Sequence, residues 1–389
     1  MVWRRTATSP TAPGPGTSGR LVSLDVFRGA TVAGMLLVND PGSWGHIYPP
    51  LRHAEWHGWT PTDLIFPFFL FIVGVTTHLS LSARQARGAS TGDLTRQVLR
   101  RGAIIVLLGL VLAAFPFFPT DRLAHVRIPG VLQRIGVVYL VTGLLVLRTS
   151  GRVQAAIAAA VLLGYWLVLA LVPVPGVGVP ALAPPGATLA AWMDRLLLDG
   201  HLWAETRTWD PEGPLSTLPA VATCLLGVFA GRWITRPLPL PERLNGLFAA
   251  GALGLLAGSA WNWVFPINKN LWTSSYVVFT AGMACVTLAT CMWLVEERRS
   301  TWWTRPFVVF GVNPIVAFAG SEAMARLIYS VIEVPFRGAP VPLETAVYRA
   351  AFASWLPPEA ASLAFALAFV AFWYVILDAL YRRGLIVKI

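Results

Sequence analysis

The stretch LRHAEWHGWTPTDLIFPFFLFIVG, residues 51–74, places two histidines, a glutamate and an aspartate directly before a run of apolar side chains. From Leu64 to Gly74 this run contains only apolar residues, one proline and one glycine. About 20 mostly apolar residues in a helix cross a hydrocarbon core of about 30 Å. The pattern therefore predicts a membrane helix over residues 62–82, with titratable side chains at its beginning.

The composition of the whole chain also indicates a membrane environment. The 389 residues are 56% hydrophobic and 13% charged, with a mean hydropathy of +0.62. Soluble domains carry roughly 25% charged residues, so we predict an integral membrane protein. The net charge of +11 is also typical of nucleic-acid binding. The arginines, however, stand in short clusters between apolar runs rather than along one face, so we do not expect a nucleic-acid partner.

The three cysteines indicate neither a disulfide framework nor a metal site. Cys224, Cys285 and Cys291 all fall within apolar runs and form no CxxC pair. We interpret them as packing residues. Because clusters with metal-ligand spacing are also missing from the sequence, we expect no metal.

Ten apolar runs define the predicted fold. Residues 1–19 precede them, are rich in Pro, Gly, Ser and Thr, and lack an apolar segment, so we interpret them as a disordered cytoplasmic tail and not a cleaved signal peptide. We assign membrane helices to 20–39, 62–82, 101–118, 128–147, 153–173, 215–235, 244–264, 271–295, 306–332 and 359–381. The predicted class is all-α, a polytopic transmembrane bundle of about ten helices over residues 20–389.

The distribution of lysine and arginine predicts the orientation of this bundle. With the N-terminus in the cytoplasm, 19 of these residues fall on the cytoplasmic side and 8 on the other. An excess of basic residues marks cytoplasmic loops, so both termini are predicted to be cytoplasmic. The polar blocks VNDPGSWGH, TWDPEGPL and FPINKNLW then all lie at non-cytoplasmic helix ends. No internal repeat is visible, which disfavours an inverted-repeat transporter.

Asn39 and His53 are the first candidates for chemistry. Asn39 ends the first predicted helix, and His53 follows fourteen residues later, before the second. A neutral imidazole can accept a proton from a nucleophile, and an amide can orient that imidazole or bind an oxyanion. The alternative is that His53 and His57 are interfacial residues within an aromatic belt.

Charged residues at the helix ends and within the helices are further candidates. Asp63 can cap the second predicted helix, and in addition it can hold a histidine in one tautomer if the two touch. Asp25 and Arg28 are three residues apart, so they lie on one face of the first predicted helix. Either they form an ion pair, or Arg28 contacts an anionic cofactor. Arg134, next to Gln133, likewise has either a structural role or a role in binding an anionic cofactor.

Two outer blocks contain the remaining candidates. Asp210 and Glu212 stand just ahead of the sixth predicted helix, where they are supporting residues of the candidate site. Lys269 and Asn270 precede the eighth. Helix starts with free N–H groups attract anions, so Lys269 and Asn270 can hold a phosphate or a carbonyl. A single lysine at a helix end is also an ordinary surface feature.

Seven sequence blocks resemble, in order, the signature blocks of the heparan-α-glucosaminide N-acetyltransferase family. Between about residues 20 and 320 they are SLDVFRG, VNDPG, RHAEWHGWTPTDLIFPFFLFIVG, RIPGVLQRIG, DPEGPLSTL, FPINKNLWTSSYV and GVNPI. The resemblance implies transfer of an acetyl group from cytosolic acetyl-CoA to an amino sugar on the far side of the membrane. By their positions in its blocks, it also implies that His53, and not His57, is the catalytic histidine and that Asn39 is a catalytic asparagine.

Two departures from the family leave the acceptor open. Residues 174–214 match poorly, and the sequence lacks the large luminal domain that precedes the bundle in the lysosomal member. We therefore expect a membrane acetyltransferase of the cytoplasmic (plasma) membrane, with Arg28, Arg134, Lys269 and Asn270 as acetyl-CoA contacts. The expected partners are acetyl-CoA, an amino sugar or glycan, the lipid bilayer and, as an open alternative, a second copy in a homodimer. A transporter or flippase for a glycan or lipid-linked sugar is the competing interpretation.

Overall fold

The computed structural model describes residues 2–5 and 21–388. Within them the chain is mainly helical, which confirms the predicted all-α class. The α-helices are α1 (Val22–Asn39), α2 (Ile65–Gln85), α3 (Thr91–Ala114), α4 (Val131–Arg148), α5 (Gly151–Leu171), α6 (Leu189–Leu198), α7 (Pro214–Ile234), α8 (Leu240–Trp261), α9 (Ser274–Met292), α10 (Arg305–Val312), α11 (Pro314–Ser330), α12 (Leu343–Ala351) and α13 (Pro358–Arg382). Two antiparallel strand pairs join β1 (Val2–Arg5) to β4 (Leu385–Lys388) and β2 (Glu333–Phe336) to β3 (Ala339–Pro342).

The predicted membrane helices are confirmed, with one correction. In the described part of the chain, nine helices are long and apolar enough to cross a membrane, and α10 with α11, bent by 81°, forms either a broken tenth span or a re-entrant loop. The hydropathy pattern predicts a single helix over 306–332, which is wrong. Pro314 has no N–H to continue α10, and a residue before proline avoids helical geometry, so Asn313 leaves the helix at φ −121° and ψ 52°.

Other differences concern polar segments, where hydropathy gives little signal. Helix α3 begins at residue 91, ten residues before the predicted start, because the Ser90 side chain accepts a hydrogen bond from the Asp93 N–H and caps it. Helices α6 and α12 lie in segments that the sequence analysis left without elements. Residues 2–5 form a strand, although they belong to the predicted disordered tail; residues 6–19 of that tail lie outside the described residues.

The described residues form two compact units. The first comprises 2–5, 21–53, 60–65 and 290–388. Its most extensive helix contact joins α1 to α10. A Cβ atom at Gly29 of α1 would lie 1.6 Å from the carbonyl oxygen of Phe307, so only glycine permits this backbone contact.

The second unit comprises residues 54–59 and 66–289 and is built around α7, most of whose residues are buried. Helix α7 packs against α4, α5, α6 and α8. The indole N–H of Trp272 donates to the Thr223 hydroxyl over 3.0 Å and so ties α7 to the turn before α9. The Tyr165 hydroxyl of α5 donates to the carbonyl oxygen of Leu271 in the same turn.

Candidate active site

His53 and Asp63 form a hydrogen-bonded pair in the first unit. Nδ1 of His53 lies 2.6 Å from Oδ1 of Asp63. The aspartate side chain is 1% exposed and the histidine side chain 45% exposed. An ionised carboxylate only accepts hydrogen bonds, so Nδ1 is the donor in this contact, and Nε2 is the nitrogen with the lone pair whenever the ring is neutral. The pair therefore joins an orienting carboxylate to a histidine side chain that solvent reaches.

Asp63 also begins the second membrane helix, as the sequence predicted. It lies in a 3₁₀ turn, Pro61–Leu64, that leads into α2. Its Oδ2 accepts from the Thr60 N–H over 3.0 Å, while the Thr60 side chain accepts from the N–H of Asp63 in a capping box. The contact with His53 is the feature that the sequence alone left undecided.

Two further hydrogen bonds place His53 beside that turn. The Thr60 hydroxyl donates to the carbonyl oxygen of Arg52 over 2.6 Å. The Thr62 hydroxyl donates to the carbonyl oxygen of Pro50 over 3.2 Å. The chain before His53 is thus fastened to the start of α2, which keeps the imidazole next to the carboxylate.

Asn39 is the last residue of α1, and its side chain is exposed. Its side chain forms no hydrogen bond in the part of the chain that the structure describes, so its amide can serve a ligand. The next residue, Asp40, is buried, and the sequence analysis missed it. Burial raises the pKa of Asp40 to about 8, and the negative charge of Glu322 adds to this effect.

His57 has different surroundings, in the second unit. Its Nδ1 lies 3.4 Å from the Nδ2 atom of the buried Asn268, and its ring meets Trp56 edge-on at 6.1 Å between centroids. Partial burial lowers the pKa of His57. The backbone N–H of Gly58 donates to the carbonyl oxygen of Ile267 over 2.7 Å. Among the described residues no carboxylate contacts His57, so it lacks the orienting partner that His53 has.

Asp210 and Glu212 hold an arginine in the second unit. Arg127 donates from Nε and Nη2 to both oxygens of Asp210, over 2.8 and 2.6 Å, and from Nη2 to Glu212. Burial alone would lower the pKa of Arg127, but the hydrogen bonds and charges of the two carboxylates outweigh it and raise that pKa. Asp194 accepts from the N–H of Asp210 over 2.9 Å. The supporting role of Asp210 and Glu212 in chemistry stays a prediction.

Arg134 is 2% exposed and joins α4 to the beginning of α7. Its Nη2 donates to the carbonyl oxygen of Pro211 over 2.8 Å and to the Ser216 hydroxyl. The guanidinium lies 5.0 Å from the ring centroid of Trp272, a cation–π contact. Its Nε and Nη1 atoms have no hydrogen-bond partner in the described structure. The predicted cofactor contact is not tested by this geometry.

The other predicted acetyl-CoA contacts divide between the units. In the first, Arg28 donates from Nη1 to Asp25, at 3.3 Å, and to the carbonyl oxygen of Gly311, at 3.0 Å, so the predicted ion pair is present. In the second, Lys269 and Asn270 are half-buried in the turn before α9. Their role toward acetyl-CoA, like that of Arg28, stays a prediction.

Comparison with known proteins identifies the family. A family profile described as "Heparan-alpha-glucosaminide N-acetyltransferase, catalytic" matches residues 20–245. The chain is 31% identical over 371 residues to the heparan-alpha-glucosaminide N-acetyltransferase of Homo sapiens, covering 82% of this chain and 54% of that protein. The Mus musculus protein of the same name is 31% identical over 359 residues, which is 79% of this chain and 54% of the relative. The chain thus spans about half the length of these relatives. On this match, the chain belongs to the heparan-alpha-glucosaminide N-acetyltransferase family.

Proposed function

We propose that the chain transfers an acetyl group from acetyl-CoA to the amine of an amino sugar or glycan. The observation that carries this proposal is the His53–Asp63 pair at the start of a membrane helix, inside the region that matches the catalytic family profile. A histidine with a buried carboxylate on one ring nitrogen is suited to take a proton at the other. Family membership supports an acyl transfer as the reaction.

In the direct route, the amine nitrogen attacks the thioester carbonyl carbon while Nε2 of His53 accepts the amine proton. The new C–N bond forms, the C–S bond breaks, and CoA leaves as a thiol after taking a proton. Asp63 stabilises the imidazolium that exists between these steps. The exposed amide of Asn39 donates to the carbonyl oxygen as it becomes negatively charged.

In the two-step route, Nε2 of His53 itself attacks the thioester and CoA leaves first. The amine then displaces the imidazole from the acetyl group, and the histidine is regenerated. Both routes use the same tautomer of His53, so both need Asp63. They differ in whether labelled acetyl groups remain on the protein when no acceptor is present.

The donor and acceptor are proposed to reach the site from opposite sides of the cytoplasmic membrane. The 19-to-8 distribution of basic residues supports cytoplasmic termini, with Asn39 and His53 at the outer helix ends. Acetyl-CoA then enters from the cytoplasm. Arg28, Arg134, Lys269 and Asn270 are the proposed contacts for its anionic groups, with Asp210 and Glu212 in support.

The decisive experiment gives the purified protein labelled acetyl-CoA and a panel of amino sugars, and it measures free CoA and acetylated product. We expect continued CoA release only when an acceptor amine is present, because without an acceptor the two-step route releases one CoA per protein and then stops. Proteoliposomes loaded with the same sugars test the competing transporter or flippase. Sugar movement without acetyl-CoA, together with no CoA release, would show that the enzymatic proposal is wrong.

A further inference from the structure

A cavity of about 250 Å³ lies in the first unit, beside the loop that runs from Asn39 to His53. Its walls come from residues 41–44 of that loop, from Tyr329 at the end of α11, and from Glu344, Tyr348 and Arg349 of α12. None of these residues has a part in the acetyl transfer proposed above. The cavity nevertheless begins two residues after Asn39.

The walls of the cavity are held by hydrogen bonds. The N–H groups of Gly42 and Ser43 donate to the backbone oxygen and the hydroxyl of Ser362 on α13, over 3.2 and 3.0 Å. The Tyr329 hydroxyl donates to the carbonyl oxygen of Pro41 over 2.9 Å. A Cβ atom at Gly42 would lie 2.5 Å from the Tyr348 ring, so the loop packs directly on α12. The cavity is therefore preformed.

The size of the cavity selects a small ligand. A cavity of about 250 Å³ is large enough to receive one sugar ring with its substituents. A single sugar unit at the end of a glycan fits this space.

The lining supplies the groups that an amino sugar needs. Glu344 is buried and accepts a hydrogen bond from the Thr345 hydroxyl over 3.0 Å. Burial raises the pKa of Glu344, so a cation that enters the cavity would favour its ionised form. Trp44, 64% exposed, and Tyr348 offer aromatic surfaces to the C–H face of a sugar. Arg349, at the exposed rim, can donate to sugar hydroxyls.

We propose that this cavity is the acceptor subsite, which before the reaction holds one hexosamine with its ammonium against Glu344 and its ring against Trp44 and Tyr348. The amine leaves Glu344 before it gives its proton to His53. The inference rests on the acetyl transfer proposed above. It also explains how product would leave. An N-acetylated sugar carries no charge, so it leaves the buried carboxylate without a cation and binds more weakly.

Binding of glucosamine, N-acetylglucosamine and glucose to the purified full chain, without acetyl-CoA and below the pKa of the amine, tests the subsite. We expect calorimetry to show glucosamine binding at least about tenfold more tightly than the two neutral sugars, as a charged hydrogen bond provides. Glu344→Gln should abolish that preference. Glu333→Gln, which alters an exposed carboxylate on β2, should keep it.

Trp44→Ala adds a second readout at an exposed position that does not support the fold. It should weaken all three sugars by a similar factor and keep the preference for glucosamine. The proposed subsite is wrong if Glu344→Gln still prefers glucosamine as the parent does, or if Trp44→Ala binds the three sugars as tightly as the parent.

Acetyl transfer measured on the same samples separates this inference from the proposed function. If the parent releases CoA with glucosamine and Glu344→Gln keeps the parent's KM for glucosamine, the function stands and the subsite is wrong. If glucosamine binding depends on Glu344 but no CoA is released, the cavity binds hexosamine, and both the enzymatic function and the role of the cavity as an acceptor subsite are wrong.

Discussion

Nδ1 of His53 lies 2.6 Å from Oδ1 of Asp63, while the other oxygen of the same carboxylate accepts from the N–H of Thr60. One buried side chain therefore orients the candidate base and caps the helix behind it. These two roles can be separated with asparagine, whose side-chain oxygen can still accept from the Thr60 N–H but whose neutral amide cannot stabilise an imidazolium.

We expect Asp63→Asn to keep the stability of the parent and to lose at least about 10²-fold in kcat, the lower end of what acid–base groups contribute. The KM for acetyl-CoA should change little. Ser90→Ala is the matched control: it removes the cap of α3 at a cost of about 1 kcal/mol and does not touch the imidazole–carboxylate pair. Thermal unfolding and steady-state kinetics on both variants check this. Equal kcat values for the two variants would contradict the orienting role of Asp63.

The two histidines of the same loop should differ sharply. His53→Ala should lose about 10²- to 10⁴-fold in acetyl transfer, and more if the histidine carries the acetyl group. His57→Ala should keep most activity, because its ring contacts Trp56 and Asn268 and, among the residues that the structure describes, no carboxylate. Acetyl-CoA binding measured alongside establishes that both variants are folded. Loss of transfer in His57→Ala alone would move the base to that residue.

Arg28 and Lys269 should act on donor binding rather than on chemistry. Replacing either with Gln should raise the KM for acetyl-CoA more than it lowers kcat, because each supplies a positive charge for an anionic ligand. Arg305→Gln is the control, since Arg305 is exposed and pairs with Asp378. If both test variants bind acetyl-CoA as tightly as the parent, the two positive charges have a structural role and do not bind the donor.

Asp194 should make the stability depend on pH. Burial raises the pKa of Asp194 to about 7, from about 3.9 in an unfolded chain. Between these two pH values the carboxyl group of Asp194 is protonated in the folded chain and ionised in the unfolded chain. The stability that this difference contributes to the fold is complete below about pH 4 and is lost as the pH rises through 7. Asp194→Asn cannot ionise, and its melting temperature should exceed that of the parent increasingly from pH 5 to pH 8. Parallel pH profiles would mean that Asp194 titrates near its ordinary value.

The orientation of the chain is tested by cysteine labelling. A cysteine at Ser90 should react only with reagents that reach the cytoplasm, and one at Ser43 should react from outside, because basic residues are concentrated on the Ser90 side. The unsubstituted protein gives the background labelling, because its Cys224 is buried but its Cys285 and Cys291 are half-buried. Labelling of both positions from the same side would refute cytoplasmic termini with ten spans.

Sequence reasoning found the membrane spans because a continuous apolar run is a strong local signal. It missed the break at Asn313, because the hydropathy of residues 306–332 continues across it and only the Asn-Pro step marks it. The His53–Asp63 contact depends on how residues 52–60 fold back, and the surroundings of Asp40 depend on Glu322, far away in the chain. The cavity could not be predicted from the sequence, because α12, which forms part of its wall, lies in a segment with no apolar run.

The contact between α1 and α10 has a consequence for biosynthesis. At about 5–20 residues per second, the ribosome needs roughly 13 to 50 seconds to proceed from Asn39 to Arg305, so α1 enters the bilayer long before its packing partner exists. During that interval the carbonyl oxygen of Gly311 cannot yet accept from Arg28. The i,i+3 pair of Asp25 and Arg28 lies wholly within α1, so the nascent helix carries its own neutralising partner into the lipid.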